Sequence, residues 1–294
     1  MTRGILVTGG SGQLASALAK LGGDRIHLVG RPEFDFDRSE TIAATVRSAN
    51  PWLVVNAAAY TAVDAAETDE AAAMRANRDG PRELARLCAG AGIPLIHVST
   101  DYVFSGDKPS PYVESDPTEP QSVYGKTKLA GETAVLASTD RAIILRTAWV
   151  YAATGRNFVR TMLSLARTRD TLRVVADQHG CPTAATDLAA AILAIAAKLR
   201  VGGWNDAYAG VFHAAGSGET TWHGLALAVF EEASRHGTKT PSFVEPIATA
   251  DYPTPAHRPA NSRLDCARLE AVFGVRMPHW RGSLARAVDE IFAA

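Results

Sequence analysis

The chain has 294 residues, of which 47% are hydrophobic, and its formal net charge at pH 7 is −1. This composition is typical of a globular protein, and a near-zero charge without a dense basic stretch argues against a nucleic-acid partner. The most apolar helical stretch, residues 188–197, is shorter than the roughly 20 residues of a membrane span. Three scattered cysteines without metal-ligand spacing fit a reducing compartment. We expect a cytoplasmic protein without a membrane partner; a monomer and a homodimer both remain open.

Short apolar runs alternate with amphipathic helical segments in the first half of the chain. Because the runs are apolar nearly throughout, they are typical of strands buried on both faces, as in a parallel sheet. Strand–helix alternation predicts an α/β fold with a doubly wound parallel sheet over residues 1–150. The runs are residues 4–10, 25–30, 52–58, 94–100 and 141–147.

The pattern loosens after residue 150. A proline-rich stretch, residues 251–264, cannot form a regular helix. We predict that residues 151–294 form mainly a smaller C-terminal substrate-binding lobe, with some segments returning to the first domain. Its predicted strands are 172–177 and 211–216, and its predicted helices lie near 186–199 and 220–236.

A glycine-rich loop, "VTGGSGQLA", follows the first predicted strand and opens a helix. Gly9, Gly12 and Ala15 occupy the positions of a dinucleotide-binding loop, in which glycine permits a tight turn and close backbone approach to a pyrophosphate. A plain tight turn is the alternative. The position directly after strand one favours the phosphate site.

The end of the second predicted strand bears on the choice of cofactor. An acidic residue there would bind the ribose 2′-hydroxyl of NAD, whereas an arginine can accommodate the 2′-phosphate of NADP. The chain has Arg31 at this place, and Glu33 comes later. We predict NADPH, with NADH possible; the alternative is that Arg31 is only a solvated loop residue.

Thr100, Tyr124 and Lys128 are the candidate catalytic residues, and Asp101 is a candidate substrate-binding residue beside them. Thr100 and Asp101 end the fourth predicted strand, at the edge of the sheet where doubly wound folds bind ligands. Tyr124 and Lys128 are four residues apart and share one face of the next helix. A free phenol has a pKa of about 10. The spacing predicts that the lysine ammonium lowers the pKa of Tyr124, while Thr100 holds a substrate oxygen beside it.

These residues belong to a set of motifs that spans nearly the whole chain. In these motifs the sequence resembles the extended short-chain dehydrogenase/reductases, and among these the dTDP-4-dehydrorhamnose reductase family. The resemblance implies a Rossmann-like fold and NADPH-dependent reduction of the C4 ketone of a dTDP-linked nucleotide sugar. Alternatives are a reductase or epimerase of another nucleotide sugar, or a non-catalytic NADP-binding regulatory subunit. The motifs are "GGSGQLA", "VVNAAAYTAVDAAE", "STDYVFSG", "VYGKTKLAGE", "LRTAWVYA", "DQHGCPT" and "YPTPAHRPANSRLD".

The resemblance also implies roles for individual residues. Tyr124 would protonate the C4 oxygen, and Lys128 would hold the nicotinamide ribose. Thr100, Asp101 and Trp149 would contact the sugar. The other implied cofactor contacts are Gly12, Gln13 and Leu14 at the pyrophosphate, Asp35 and Phe36 at the adenine, and Ala59, Tyr60 and Thr61 on the ribose and nicotinamide side.

Two positions at which this chain differs from related proteins refine these expectations. Related dehydratases have a glutamate where this chain has Tyr102, so ketone reduction is favoured over dehydration. Some family members have a magnesium-binding glutamate where this chain has Ala17, so we predict no metal.

Several residues keep two interpretations. Asn157 and Arg258 could bind the diphosphate or be structural, and Trp149 could instead fill the core. We predict that His97 is a buried histidine with satisfied hydrogen bonds and that Cys181 is structural.

Overall fold

This computed structural model describes residues 3–293 of the chain. Six parallel strands form the central sheet, and the remaining strands of these residues form smaller sheets. The strands are β1 (Ile5–Thr8), β2 (Ile26–Val29), β3 (Leu53–Asn56), β4 (Leu95–Thr100), β5 (Ala142–Thr147), β6 (Val150–Tyr151), β7 (Thr171–Val175), β8 (His179–Gly180), β9 (Thr183–Ala184), β10 (Gly210–His213), β11 (Thr220–Thr221), β12 (Phe243–Ile247) and β13 (Asn261–Ser262). The α-helices are α1 (Gln13–Gly22), α2 (Ser39–Ala49), α3 (Val63–Ala66), α4 (Glu70–Met74), α5 (Gly80–Gly90), α6 (Val123–Leu136), α7 (Phe158–Ala166), α8 (Ala185–Gly202), α9 (Trp222–Arg235), α10 (Ala267–Phe273) and α11 (Trp280–Ala293).

The strand order of the central sheet is β2-β1-β3-β4-β5-β10, and every neighbouring pair is parallel. The predicted doubly wound α/β fold and its five N-terminal strands are confirmed. The chain runs from β1 to one side and returns to the other side at β3, so the order reverses between these two strands. Ligands of such sheets bind outside the carboxyl ends at this reversal.

Strand burial follows position in the sheet. Every residue of β1, β3 and β5 is buried, as their apolar sequences predict. β2 lies at the edge, and its His27 and Leu28 are exposed. The expectation that all five runs are buried on both faces is therefore wrong for β2, because an edge strand has a neighbour on one side only.

The chain beyond residue 150 contributes to two cores. α8 packs with α1 against one face of the central sheet, and β10 extends that sheet beside β5. A second core joins α7, α9 and α11 to β7 and β12, which pair in parallel. The boundary at residue 150 itself stays a prediction. Of the helices within residues 3–293, none combines the length and the apolarity needed to cross a membrane.

Candidate active site

The loop after β1 is shaped by its glycines. Gly9 has a φ of +113°, and a Cβ atom on it would lie 3.1 Å from the backbone of Ala57. Gly30, at the end of β2, packs so closely that its Cβ would lie 2.6 Å from Gly10 Cα. Gly12 is the N-cap of α1, and no side chain of the described residues caps this helix. The N–H groups of its first turn therefore remain available for an anion.

The residues predicted at the pyrophosphate have different side-chain environments. Leu14 is buried in the core, so only its backbone can face a phosphate. The Gln13 side chain accepts a hydrogen bond from Asn157 Nδ2 at 2.9 Å. Asn157 also caps α7 by accepting a hydrogen bond from the Arg160 N–H. These contacts support the structural interpretation of Asn157.

Ion pairs surround the end of β2. The exposed Arg31 guanidinium lies 2.9 Å from Asp35 and 2.9 Å from Asp37. Asp37 also pairs with Arg75 at 2.8 Å. Phe36 lies against Gly80, where an added Cβ would fall 2.2 Å from its ring. Arg31 and Asp35, predicted for different parts of the cofactor, thus contact each other.

The loop after β3 is tied to α6 by a buried asparagine. Asn77 accepts a hydrogen bond from the Tyr60 N–H at 2.8 Å and donates one to the Tyr60 carbonyl oxygen. Its amide also donates to Thr127 Oγ1 at 3.0 Å, next to Lys128. Of the three loop residues predicted at the cofactor, Ala59 and Tyr60 are half-buried and Thr61 is exposed.

Thr100 and Tyr124 meet at the carboxyl end of β4. Thr100 is the last residue of that strand, and Tyr124 lies in the first turn of α6, which Ser122 caps. Burial raises the pKa of the Tyr124 phenol above its ordinary value, and the neighbouring Thr100 hydroxyl opposes that rise. The direction is opposite to the lowering predicted from Lys128. The Tyr124 phenol is therefore protonated at neutral pH.

Lys128 lies deeper, with 2% of its surface exposed. Its ammonium donates a hydrogen bond to the Val98 carbonyl oxygen at 2.6 Å. Burial lowers the pKa of Lys128 to about 8, and the carboxylate of Glu132 opposes this shift. Glu132 follows one helical turn after Lys128 and pairs with Arg146, at 2.7 Å between Oε2 and Nη2. Lys128 therefore lies beside a buried carboxylate that is itself neutralised by an arginine.

Asp101 is a buried carboxylate next to Thr100. Its Oδ1 accepts a hydrogen bond from Thr100 Oγ1 at 2.9 Å, whereas its Oδ2 has no hydrogen-bond partner among residues 3–293. Burial raises the pKa of Asp101 to about 6. A buried oxygen without a partner is costly, and a substrate hydroxyl could donate to it.

The proline-rich stretch reaches the site through Arg258. Its guanidinium donates to Tyr102 Oη at 3.2 Å and to Asp64 Oδ2 at 2.7 Å. The Tyr102 ring packs edge-to-face on Tyr124, with the centroids 5.4 Å apart. Arg258 therefore forms a structural ion pair that also supports the tyrosine beside Tyr124.

Trp149 follows β5 and packs against the second core and against a smaller apolar cluster that includes Val103 and Phe104. It is half-buried, with a φ of +49°, and its ring stacks on Trp222 at a centroid distance of 3.6 Å. The indole packs on the second core, and Trp149 comes two residues after Thr147, which pairs with Thr100 at the carboxyl ends of β5 and β4.

Comparison with known proteins identifies the family. A family model described as the RmlD substrate binding domain matches residues 2–292. A dTDP-4-dehydrorhamnose reductase of Sinorhizobium fredii is 47% identical over 289 residues, covering 97% of this chain and 96% of that protein. The chain belongs to the dTDP-4-dehydrorhamnose reductase family.

Solved structures of this family have the same architecture. The reductase of Bacillus anthracis in complex with NADP is 32% identical, with a TM-score of 0.89 over 99% of this chain and 100% of that one. The reductase of Clostridium acetobutylicum is 36% identical, with a TM-score of 0.87 over 97% and 98% of the two chains. The Rossmann-like fold and the family resemblance are both confirmed.

Other predictions about individual residues have mixed outcomes. His97 is fully buried and Nδ1 contacts Asn56 at 2.9 Å, but Nε2 has no partner among the described residues, so its hydrogen bonds are only partly satisfied. Burial raises the pKa of the Cys181 thiol to about 11, which fits a structural role. Ala17 is buried in the core, and within residues 3–293 no three His, Cys, Asp or Glu side chains group as metal ligands do. Independence from metal stays a prediction.

Sequence reasoning did not single out the polar residues beneath the site. Asn77, Glu132 and Arg146 are all buried, and their partners lie on other elements. The only sequence signal is the spacing of Glu132, four residues after Lys128, which places both on one helix face.

Proposed function

We propose that this family member reduces the C4 ketone of dTDP-4-dehydrorhamnose with NADPH, giving dTDP-L-rhamnose. The observation that carries the proposal is that Thr100 adjoins Tyr124 at the carboxyl end of β4, with the buried Lys128 one helical turn after Tyr124. A protonated phenol, a hydroxyl beside it and a buried ammonium are the groups that a ketone reduction needs around a bound hydride donor.

The residues around the β1–β3 crevice suit a dinucleotide. The uncapped N-terminus of α1 suits a pyrophosphate, and the close packing of Gly30 on Gly10 brings the β2 end to the same loop. Arg31 would contact a 2′-phosphate, and Lys128 would hold the ribose by the nicotinamide. When bound, NADPH supplies the hydride.

The chain's own residues then account for the proton and the orientation. Tyr124 donates its phenolic proton to the C4 oxygen, and Thr100 hydrogen-bonds the same oxygen. The Lys128 ammonium stabilises the phenolate that remains, since an adjacent positive charge favours it. Asp101 accepts a hydrogen bond from a hydroxyl of the sugar, and Trp149 lies along the sugar ring.

The test is NADPH oxidation with dTDP-4-dehydrorhamnose prepared in situ, with NADH run in parallel and the product identified by mass and NMR. Oxidation that yields dTDP-L-rhamnose is expected. The matched control is Tyr124→Phe, which keeps the ring and removes the proton. Cofactor binding without oxidation by the wild-type protein would contradict the proposal and favour a non-catalytic role.

We also propose that this protein is cytoplasmic and that it is a monomer or a homodimer. Light scattering on the purified chain distinguishes these two states, and a larger assembly would contradict both.

A further inference from the structure

The backbone of Trp149 has a conformation that bulky residues seldom adopt. Its φ of +49° lies in the left-handed region, which is populated mainly by glycine, asparagine and aspartate. Such a conformation persists only where surrounding contacts enforce it. The contacts of the Trp149 side chain therefore identify what fixes it.

Trp222 and Gly180 confine the Trp149 indole from two sides. The Trp222 ring stacks on it at a centroid distance of 3.6 Å and an interplanar angle of 11°. A Cβ atom on Gly180 would lie 2.4 Å from the same indole, so only glycine leaves room for it there. Phe158 packs on Trp222 at 4.7 Å.

Trp222 is itself held by hydrogen bonds. Its indole Nε1–H donates to Gln178 Oε1 at 3.1 Å, and the Gln178 side chain is buried. Gln178 Nε2 donates to Thr249 Oγ1 at 3.0 Å, and that hydroxyl donates to Asp177 Oδ1 at 2.6 Å. The first two of these hydrogen bonds connect Trp222 to Thr249, just before the proline-rich stretch.

We propose that Trp222 is a positioning residue for the sugar site, fixing the Trp149 indole in one orientation near the carboxyl ends of β4 and β5. The inference rests on the proposed function, since it assigns Trp149 to the sugar. The ring and hydrogen-bond partners of Trp222 are Trp149, Phe158 and Gln178, none of which belongs to the glycine loop. Its loss should therefore weaken substrate binding and leave cofactor binding unchanged.

The experiment compares Trp222→Leu, Trp222→Phe and the control Trp204→Phe, whose indole packs elsewhere against Tyr208. The exciton couplet in circular dichroism reports the Trp149–Trp222 stack, the only stacked tryptophan pair among residues 3–293. Steady-state kinetics give the KM for the nucleotide sugar, fluorescence titration gives the Kd for NADPH, and thermal melting reports folding.

We expect Trp222→Leu to abolish the couplet and to raise the sugar KM roughly 3- to 10-fold, the range corresponding to an aromatic pair. The Kd for NADPH should stay within twofold. Trp222→Phe, which keeps an aromatic ring, should have a sugar KM close to that of the wild-type protein. Trp204→Phe should change neither the couplet nor the sugar KM.

An unchanged sugar KM in Trp222→Leu, despite loss of the couplet, would overturn the proposal. So would a KM defect that Trp222→Phe fails to recover and that parallels a weaker NADPH affinity or a lower melting temperature, because that pattern describes general packing. Failure of the wild-type protein to turn over the sugar would instead contradict the proposed function, and a sugar titration followed by the couplet would then decide the positioning role alone.

Discussion

Replacing Glu132 by glutamine should both destabilise the protein and shift its pH profile. The Glu132 and Arg146 side chains are 3% and 5% exposed and pair at 2.7 Å. The substitution leaves the Arg146 charge buried without its partner, and Arg146 Nη1 already lacks a hydrogen bond within residues 3–293. Glu132 is also the charge that opposes the lowering of the Lys128 pKa.

The expected magnitude follows from burial. Removing one partner of a buried ion pair costs about 3–5 kcal/mol, whereas replacing both by uncharged residues of similar volume is often close to neutral. We expect Glu132→Gln to lower the free energy of unfolding by about 3 kcal/mol at pH 7. The double variant Glu132→Gln/Arg146→Met should lose less, because no lone charge remains.

The functional effect has a defined sign. The Lys128 pKa is lowered to about 8, so its charge is lost as the pH rises through that value. Without the Glu132 carboxylate the ammonium is less stabilised, and the alkaline decline of kcat/KM should move to lower pH. The effect is a shift of the profile and not only a loss of amplitude.

Urea unfolding followed by tryptophan fluorescence gives the stability. The pH profile comes from kcat/KM measured from about pH 6 to about pH 10, a range that lies on both sides of the Lys128 pKa of about 8. A single variant no less stable than the double variant would refute the reasoning on burial. An alkaline decline at the same pH in Glu132→Gln as in the wild-type protein would refute the coupling to Lys128.

Three further substitutions test the site. Tyr124→Phe should reduce kcat by about 10²–10⁴-fold while the NADPH Kd stays within a few-fold, since a general acid contributes that much; retained turnover would contradict the role. Arg31→Ala should raise the KM for NADPH more than that for NADH; equal effects would remove Arg31 from the 2′-phosphate. Burial raises the pKa of Asp101 from 3.8 to about 6, so ionisation of this carboxyl destabilises the fold as the pH rises through that interval. Asp101→Asn should therefore gain about 1–3 kcal/mol relative to the wild-type protein between pH 4 and pH 7.5, by chemical denaturation, while the sugar KM rises; a pH-independent difference would show that Asp101 is not strained.

The parts of the site that the sequence predicts are those encoded locally. The glycine loop, the end of β4 and the Tyr124–Lys128 spacing each lie within a few residues, and period and spacing are properties of short segments. Their meeting at one edge follows from the parallel sheet, since the carboxyl ends of parallel strands lie on the same side.

The long-range pairs could not be predicted in this way. Arg258 meets Asp64 across 194 positions, and Trp149, which follows β5, stacks on Trp222 of α9. Such pairs depend on how the second core packs, which no local pattern encodes. The two-residue strands β6, β8, β9, β11 and β13 were missed for the same reason: they are too short to show any period.

The Tyr124 pKa shows why burial matters more than spacing. Four residues of separation place a lysine and a tyrosine on one helix face, which predicts a lowered phenol pKa. The folded chain instead commits the Lys128 ammonium to the Val98 carbonyl oxygen, and burial of the phenol dominates. A phenol that keeps its proton at neutral pH is what reduction requires, because the ketone oxygen must receive a proton as hydride arrives. In the proposed mechanism the ammonium would stabilise the phenolate formed by the reaction, so we expect the rate to depend on the charge of Lys128, which the pH profile tests.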